Sequence, residues 1–245
     1  MSIHCELIIL ILALTLDGQV HTGQIYGGKV AEPHSRPYMA ILEAKMSNGL
    51  IKHCGGFILT EDFVMTAAHC QAKSYRVLLG VHDFYKTKEI QSVDVEKAFP
   101  HKDYNSTDYI NDVMILKLSS KVKFSETVKA IPLAGQNDGS PKSCIVSGWG
   151  STSKENEPGQ RMSRVLMEVN VTLIDNEFCK SNGMYCSEGE VGPRIGDSGG
   201  PLVCEDGKAY GVVSNFFQDS SPSLCSYSMI SDHIMTWIVS TIKNA

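Results

Sequence analysis

The chain is 245 residues long, 42% hydrophobic and 20% charged, with 21 glycines, 9 prolines and 8 cysteines. It is too apolar and too weakly charged to be disordered, and it lacks the glycine period or proline excess of a fibrous protein. With 22 basic against 27 acidic residues the net charge is -5, which gives no electrostatic reason to expect nucleic acid or an anionic membrane as partner.

In chain order, residues 1–24 stand apart: they contain no Lys or Arg, and residues 7–16 form an apolar run. Such a run is too short for a bilayer, which needs roughly 20 residues. It is read as a secretory signal peptide ending between residues 18 and 22, leaving 23–24 as a short propeptide and 25–245 as the folded domain. Its removal deletes Glu6 and Asp17, so 22 basic residues face 25 acidic ones, a net of -3. No later stretch is apolar and long enough for a transmembrane anchor, and a secreted protein is expected.

From residue 39 to 230, short β-branched and aliphatic runs alternate with Gly, Pro, Asn, Asp and Ser. The runs at 39–42, 57–59, 76–79, 113–118, 144–147, 165–173, 202–204 and 211–214 predict strands of an antiparallel sandwich or barrel. Only the C-terminal end reads as a helix: Ser231 is placed to cap it, Asp232 suits its positive end, and Ile234, Ile238 and Ile242 recur on one face. No repeat or linker divides the chain, so one folded unit is expected, open to a division into two half-barrels in close contact. Asn-x-Ser/Thr sequons begin at Asn105, in a polar loop, and at Asn170, inside a strand-like run.

Loss of the leader removes Cys5 and leaves Cys54, Cys70, Cys144, Cys179, Cys186, Cys204 and Cys225. An odd set in an exported chain predicts three disulfides and one spare thiol, whose pairing the spacing does not assign. No CxxC or His-x-x-x-His spacing occurs, so no zinc site is expected.

Three segments matter jointly: Thr66-Ala67-Ala68-His69-Cys70, Asn111-Asp112-Val113-Met114-Ile115-Leu116 and Gly196-Asp197-Ser198-Gly199-Gly200-Pro201. Singly, each is ordinary, since an Asp before a strand or a Ser in a glycine turn is usually only a turn residue. Together they supply the three groups that acyl transfer by serine requires. A hydroxyl is a weak nucleophile at neutral pH, so an imidazole must take its proton and a carboxylate must fix the imidazole's tautomer. Glycine beside the serine leaves backbone N–H donors free for the developing oxyanion.

With these segments, Ile25-Tyr26-Gly27-Gly28, Cys54-Gly55-Gly56-Phe57, Ser147-Gly148-Trp149-Gly150 and Gly211-Val212-Val213-Ser214, the chain resembles the chymotrypsin-type serine proteases over its whole mature length. The run Pro33-His34-Ser35-Arg36-Pro37-Tyr38-Met39-Ala40 is most similar to the granzyme, mast-cell protease and duodenase branch. The resemblance implies an all-β fold of two six-stranded antiparallel barrels with the catalytic cleft between them and a short C-terminal helix. It implies Ser198 as nucleophile, His69 as general base then acid, Asp112 as the orienting group, and Gly196 and Ser198 as oxyanion donors. It pairs Cys54 with Cys70, Cys144 with Cys204 and Cys179 with Cys186, leaving Cys225 alone. It also implies a zymogen, in which cleavage before Ile25 frees an amino group to pair with Asp197. Gln24 excludes a trypsin-like activator, and Gly23-Gln24 suits a dipeptidyl peptidase. Protein or peptide substrates, protease inhibitors, a monomer and possible storage in secretory granules follow from the same likeness.

The specificity pocket departs from the family pattern. Gly192, six residues before Ser198, falls where trypsin-like enzymes carry Asp, so cleavage after Lys or Arg is not expected. Pro193, Arg194 and Ile195 are placed at the pocket's wall or rim, with Arg194 open to two roles, attraction of an acidic side chain or a solvated surface charge. After Ser214 comes Asn215-Phe216-Phe217 where the family usually has an aromatic and then glycine, and Phe216 is expected either to narrow the mouth or to pack elsewhere. Ser226 is placed on the far wall by counting back from Trp237. Val81 follows Leu79-Gly80 where calcium-binding relatives have a carboxylate, so neither calcium nor any cofactor is expected. The rival reading is a binding or regulatory protein on the same fold with an occluded pocket.

Overall fold

The computed structural model describes residues 25, 27–86, 90–151, 162–189, 191–217 and 222–245. The expected signal peptide and propeptide lie outside the described residues. No helix among those described is long and apolar enough to cross a membrane.

The first barrel is built from β2 (Met39–Lys45), β3 (Ile51–Ile58), β4 (Phe63–Thr66), β5 (Ser74–Leu79), β6 (Gln91–Pro100) and β7 (Met114–Leu118), in the closed order β2-β3-β4-β7-β6-β5. The antiparallel pairing of β5 with β2, Leu42 opposite Val77, closes it. The second holds β8 (Ser143–Gly148), β9 (Met167–Ile174), β10 (Met184–Glu188), β11 (Pro201–Cys204), β12 (Ala209–Phe217) and β13 (Leu224–Met229), ordered β9-β10-β13-β12-β11-β8. It closes where β8 returns to β9, Val146 opposite Val169, and the two-residue β1 (Lys29–Val30) adds to the outside of β9. Closure leaves no open sheet edge in either ring.

β2 reads as almost wholly apolar because its two faces serve two cores. Ala40, Leu42 and Ala44 fill the first barrel, while Met39 and Ile41 point outward into a cluster with Trp149 and Leu166, contributed by the second half of the chain. That shared cluster presses the barrels together, and the cleft opens along the junction. After β9, Asn176 caps the short α1 (Glu177–Ser181) by accepting the Cys179 N–H.

The C-terminal helix α2 (Asp232–Asn244) begins as expected, with the Ser231 hydroxyl accepting the Ile234 N–H at 3.4 Å. It leaves the second barrel yet buries Ile234 and Ile238 in the first barrel's core, so it straps the halves together. The three disulfides are Cys54–Cys70, Cys144–Cys204 and Cys179–Cys186, and Cys225 is a buried free thiol.

Four barrel strands, β4, β6, β10 and β13, fall outside the predicted runs. β6 alternates polar and apolar residues in its first half and exposes Ser92, Asp94 and Glu96, so only Val93, Val95, Ala98 and Phe99 tie it to the core. β13 interrupts its apolar residues with serines that the fold buries.

Candidate active site

His69 sits in the 3-10 turn Ala68–Cys70 that follows β4, and the Cys54–Cys70 disulfide ties this turn to β3. Asp112 precedes β7 and is fully buried. The His69 ring nitrogen Nδ1 lies 2.6 Å from Asp112 Oδ2, the His69 backbone N–H donates to Oδ1 at 2.8 Å, and the Ser214 hydroxyl donates to Oδ2 at 2.7 Å. The buried carboxylate is thus met by three donors from the protein itself. It also fixes the imidazole: with Nδ1–H held by Asp112, the Nε2 lone pair faces the cleft side of the ring.

Ser198 lies on the glycine turn that enters β11. Its carbonyl accepts the Gly55 N–H from the first barrel at 2.8 Å, and the next residue, Gly199, donates its N–H to Val213 of the second barrel at 2.8 Å. The turn is therefore stitched to both halves. Gly199 has φ +88°, and a Cβ there would stand 2.1 Å from Thr66 Oγ1, so only glycine fits. His69, Ser198 and Ser214 line one cavity of about 110 Å³.

Gly196, with φ +100°, sits in backbone that residues with a side chain rarely adopt, and a Cβ there would also stand 3.1 Å from the Gly150 Cα. The carbonyl of Ile195 accepts the Ser151 N–H at 2.7 Å. In a trans peptide the C=O and the following N–H point to opposite sides, so this bond turns the Gly196 N–H away from Ser151. Asp197 is fully buried; Oδ1 accepts the Gly150 N–H at 2.7 Å and Oδ2 the Arg194 N–H at 2.9 Å. Burial raises its carboxyl to about 6 against these two hydrogen bonds. Ile25 is likewise fully buried, in the apolar cluster containing Val146 and Val213.

The same cavity is also lined by Pro193, Arg194, Ile195, Asn215 and Phe216. Arg194 is only 9% exposed: its guanidinium carbon lies 4.0 Å from the centre of the Phe216 ring and its Nη1 donates to the Pro193 carbonyl at 2.9 Å. Arg194 is thus not a solvated surface charge, and Phe216 does not pack away from the cleft.

Ser226 departs from its expected place. Successive strand residues face opposite ways, and the residue of β13 that approaches Gly192 is Cys225, whose Sγ would lie 2.9 Å from a Cβ built there. The Ser226 hydroxyl donates to the Asn215 carbonyl at 3.4 Å instead. Counting back from Trp237 misplaces the wall by one residue, since that count assumes a fixed length for the turn before α2. Burial pushes the Cys225 thiol up to about 11 although neighbouring Arg194 favours the thiolate, so it is an inert wall group.

Two features had no clear sequence signal. Tyr109, at φ 57°, presents its ring edge-on to His69 with centroids 5.8 Å apart. Arg164 holds Asp83 by two hydrogen bonds of 2.8 and 2.9 Å, which lowers the Asp83 carboxyl to about 2 and supplies a cation from the chain itself beside Val81. Of the sequons, Asn105 is exposed in a turn, where its Oδ1 accepts the Thr107 N–H, and Asn170 is exposed on β9 opposite Ile145.

Comparison with known proteins finds relatives over most of the chain. A profile of the trypsin family matches residues 25–238. The chain is 37% identical to granzyme B of Rattus norvegicus over 98% of its length and all of that protein's. It is 38% identical to mast cell protease 2 of Meriones unguiculatus, covering 93% of this chain and 94% of that one, and 39% identical to a chymase of Cavia porcellus, covering 90% and 92%. A solved structure of GrC superimposes with a TM-score of 0.78 at 35% identity, over 89% of this chain and all of the other.

Proposed function

The chain belongs to the trypsin family of serine proteases, and from that premise we propose that it is a secreted or granule-stored endopeptidase that cleaves peptide bonds through an acyl-enzyme on Ser198. His69 Nε2 takes the Ser198 proton as Oγ attacks the scissile carbonyl, and the imidazolium so formed is stabilised by Asp112. The oxyanion is met by the N–H groups of Gly196 and Ser198; losing one such donor costs roughly 3 kcal/mol of barrier. His69 then protonates the leaving amine, and water repeats the sequence to release the acid.

The observation that carries this reading is the His69–Asp112 contact of 2.6 Å, buried at its carboxylate end and opening on the cavity that Ser198 lines. In the same reading, release of Gly23-Gln24 by a dipeptidyl peptidase frees the Ile25 ammonium to pair with Asp197. The side chain preceding the scissile bond is acidic, because it meets the Arg194 guanidinium held over Phe216. The exposed turn makes Asn105 the favoured N-glycan acceptor over Asn170, which lies within a strand.

The test is fluorophosphonate labelling of protein whose N-terminus is verified as Ile25. Labelling that Ser198→Ala abolishes is expected. Folded, processed protein that does not label would instead favour a binding protein whose pocket is closed by Arg194 and Phe216.

A further inference from the structure

Away from the cleft, His101 lies just past the end of β6 and is 2% exposed, yet its Nε2 is buried without a hydrogen-bond partner among the described residues. Its ring packs edge-on against Trp237 and His233 of α2, with centroids 4.9 and 5.3 Å away. His101, Asp103 and His233 each offer a ligand atom within 4.8 Å of the other two. We propose that these three residues form a binding site for a divalent transition metal of the zinc class, pinning the base of the loop that carries Asp112 to the C-terminal helix.

Two imidazoles and one carboxylate are the donor set of zinc, copper or nickel sites, whereas calcium and magnesium take oxygen ligands. Tetrahedral zinc with bonds of about 2.0–2.2 Å wants its ligand atoms about 3.4 Å apart, so the cluster must close by somewhat more than ~1 Å. His233 and Asp103 are both exposed, while His101 is held in place by Trp237. Among the described residues, the Asp103 carboxylate pairs with exposed Lys102 at 4.0 Å, a weak competitor.

One hydrogen bond opposes the site. The Asp103 backbone N–H donates to His101 Nδ1 at 3.2 Å, which places the ring proton on Nε2. Coordination through Nε2 exchanges that tautomer and gives up this one long bond. In return, a buried N–H without an acceptor is removed.

The site's reach is set by its neighbours. The His101 N–H donates to the Val113 carbonyl at 3.0 Å, and Asn111 Nδ2 donates to the Asp103 carbonyl at 3.2 Å, so both metal-bearing loop residues are bonded to the residues flanking Asp112. Sequence spacing hides the cluster, because His233 is far along the chain from the other two and no short metal motif exists.

Isothermal titration of the metal-free full-length Ser198→Ala protein with zinc chloride tests the proposal, with thermal unfolding followed in parallel. One equivalent is expected to bind and raise Tm. His233→Ala and Asp103→Asn are each expected to weaken binding at least tenfold and remove the Tm gain, with the metal-free Tm unchanged. His69→Ala separates this site from zinc captured at the cleft and is expected to retain the equivalent. Absence of saturable binding, binding unaffected by both His233→Ala and Asp103→Asn, or its loss in His69→Ala would overturn the assignment.

Discussion

Asp112 is the residue on which most of the site's order depends. Asp112→Asn keeps the shape but removes the charge and the acceptor for Nδ1–H, so kcat is expected to fall by about 10⁴-fold. Ser214→Ala deletes one of three donors to the carboxylate, a loss of roughly 1.5–3 kcal/mol that corresponds to about 10- to 100-fold in kcat/KM. Steady-state kinetics on one peptide substrate measures both, and a Ser214→Ala effect as large as that of Asp112→Asn would contradict this division of roles. Arg194 sets a separate expectation. Profiling with a peptide library should show preference for Asp or Glu before the cleaved bond, and Arg194→Gln should lower kcat/KM for those substrates by roughly 10- to 100-fold, the worth of a charged hydrogen bond. Unchanged acid preference in Arg194→Gln would show that another group reads the substrate.

At the scale of elements, two segments carry measurable energy. Helix α2 contributes Ile234 and Ile238 to the first barrel's core. Ile238→Ala should therefore cost about 2–4 kcal/mol and be seen as a lower urea midpoint; a change below about 0.5 kcal/mol would mean the helix is not a strap. In the proposed activation, the turn holding Asp197 ties the switch to pH. Its carboxyl is raised from 3.8 to about 6 in the fold, so between those values the folded chain holds more protons than the unfolded one and stability falls as pH rises. The ionised carboxylate of the uncleaved chain is then a buried charge with two N–H donors, at a cost on the order of 3 kcal/mol near pH 7. In the proposed activation, the freed Ile25 ammonium would give it a cation. In the Ser198→Ala background, the processed form should be the more stable at pH 7, with the gap closing as pH falls below 6 towards 4. A gap independent of pH over that range would detach Asp197 from the switch.

Across the whole molecule, the sequence disclosed what depends on local pattern. Apolar runs bounded by turn residues marked eight of the strands, and Ser231 with the isoleucine spacing marked α2, because those signals lie within a few residues of one another. β6 and β13 escaped because a barrel wall tolerates charge on its outer face and serine inside. At the site, His69, Asp112 and Ser198 were legible through chemistry that demands those three types, and Gly196 and Gly199 through the need for bare backbone. Tyr109 was not, since its approach to His69 follows from a left-handed residue in a loop, and Cys225 was missed because register across a turn cannot be counted. The His101, Asp103 and His233 cluster exists only after α2 crosses to the first barrel.

The account's central claim is that Ser198 becomes acylated. Mixing the protein starting at Ile25 with an excess of an activated peptide ester is its most direct test. A rapid burst of close to one equivalent of leaving group per chain is predicted, followed by slower turnover, with both phases absent in Ser198→Ala. Turnover that persists without Ser198, or no burst and no turnover from folded, correctly started protein, would contradict it.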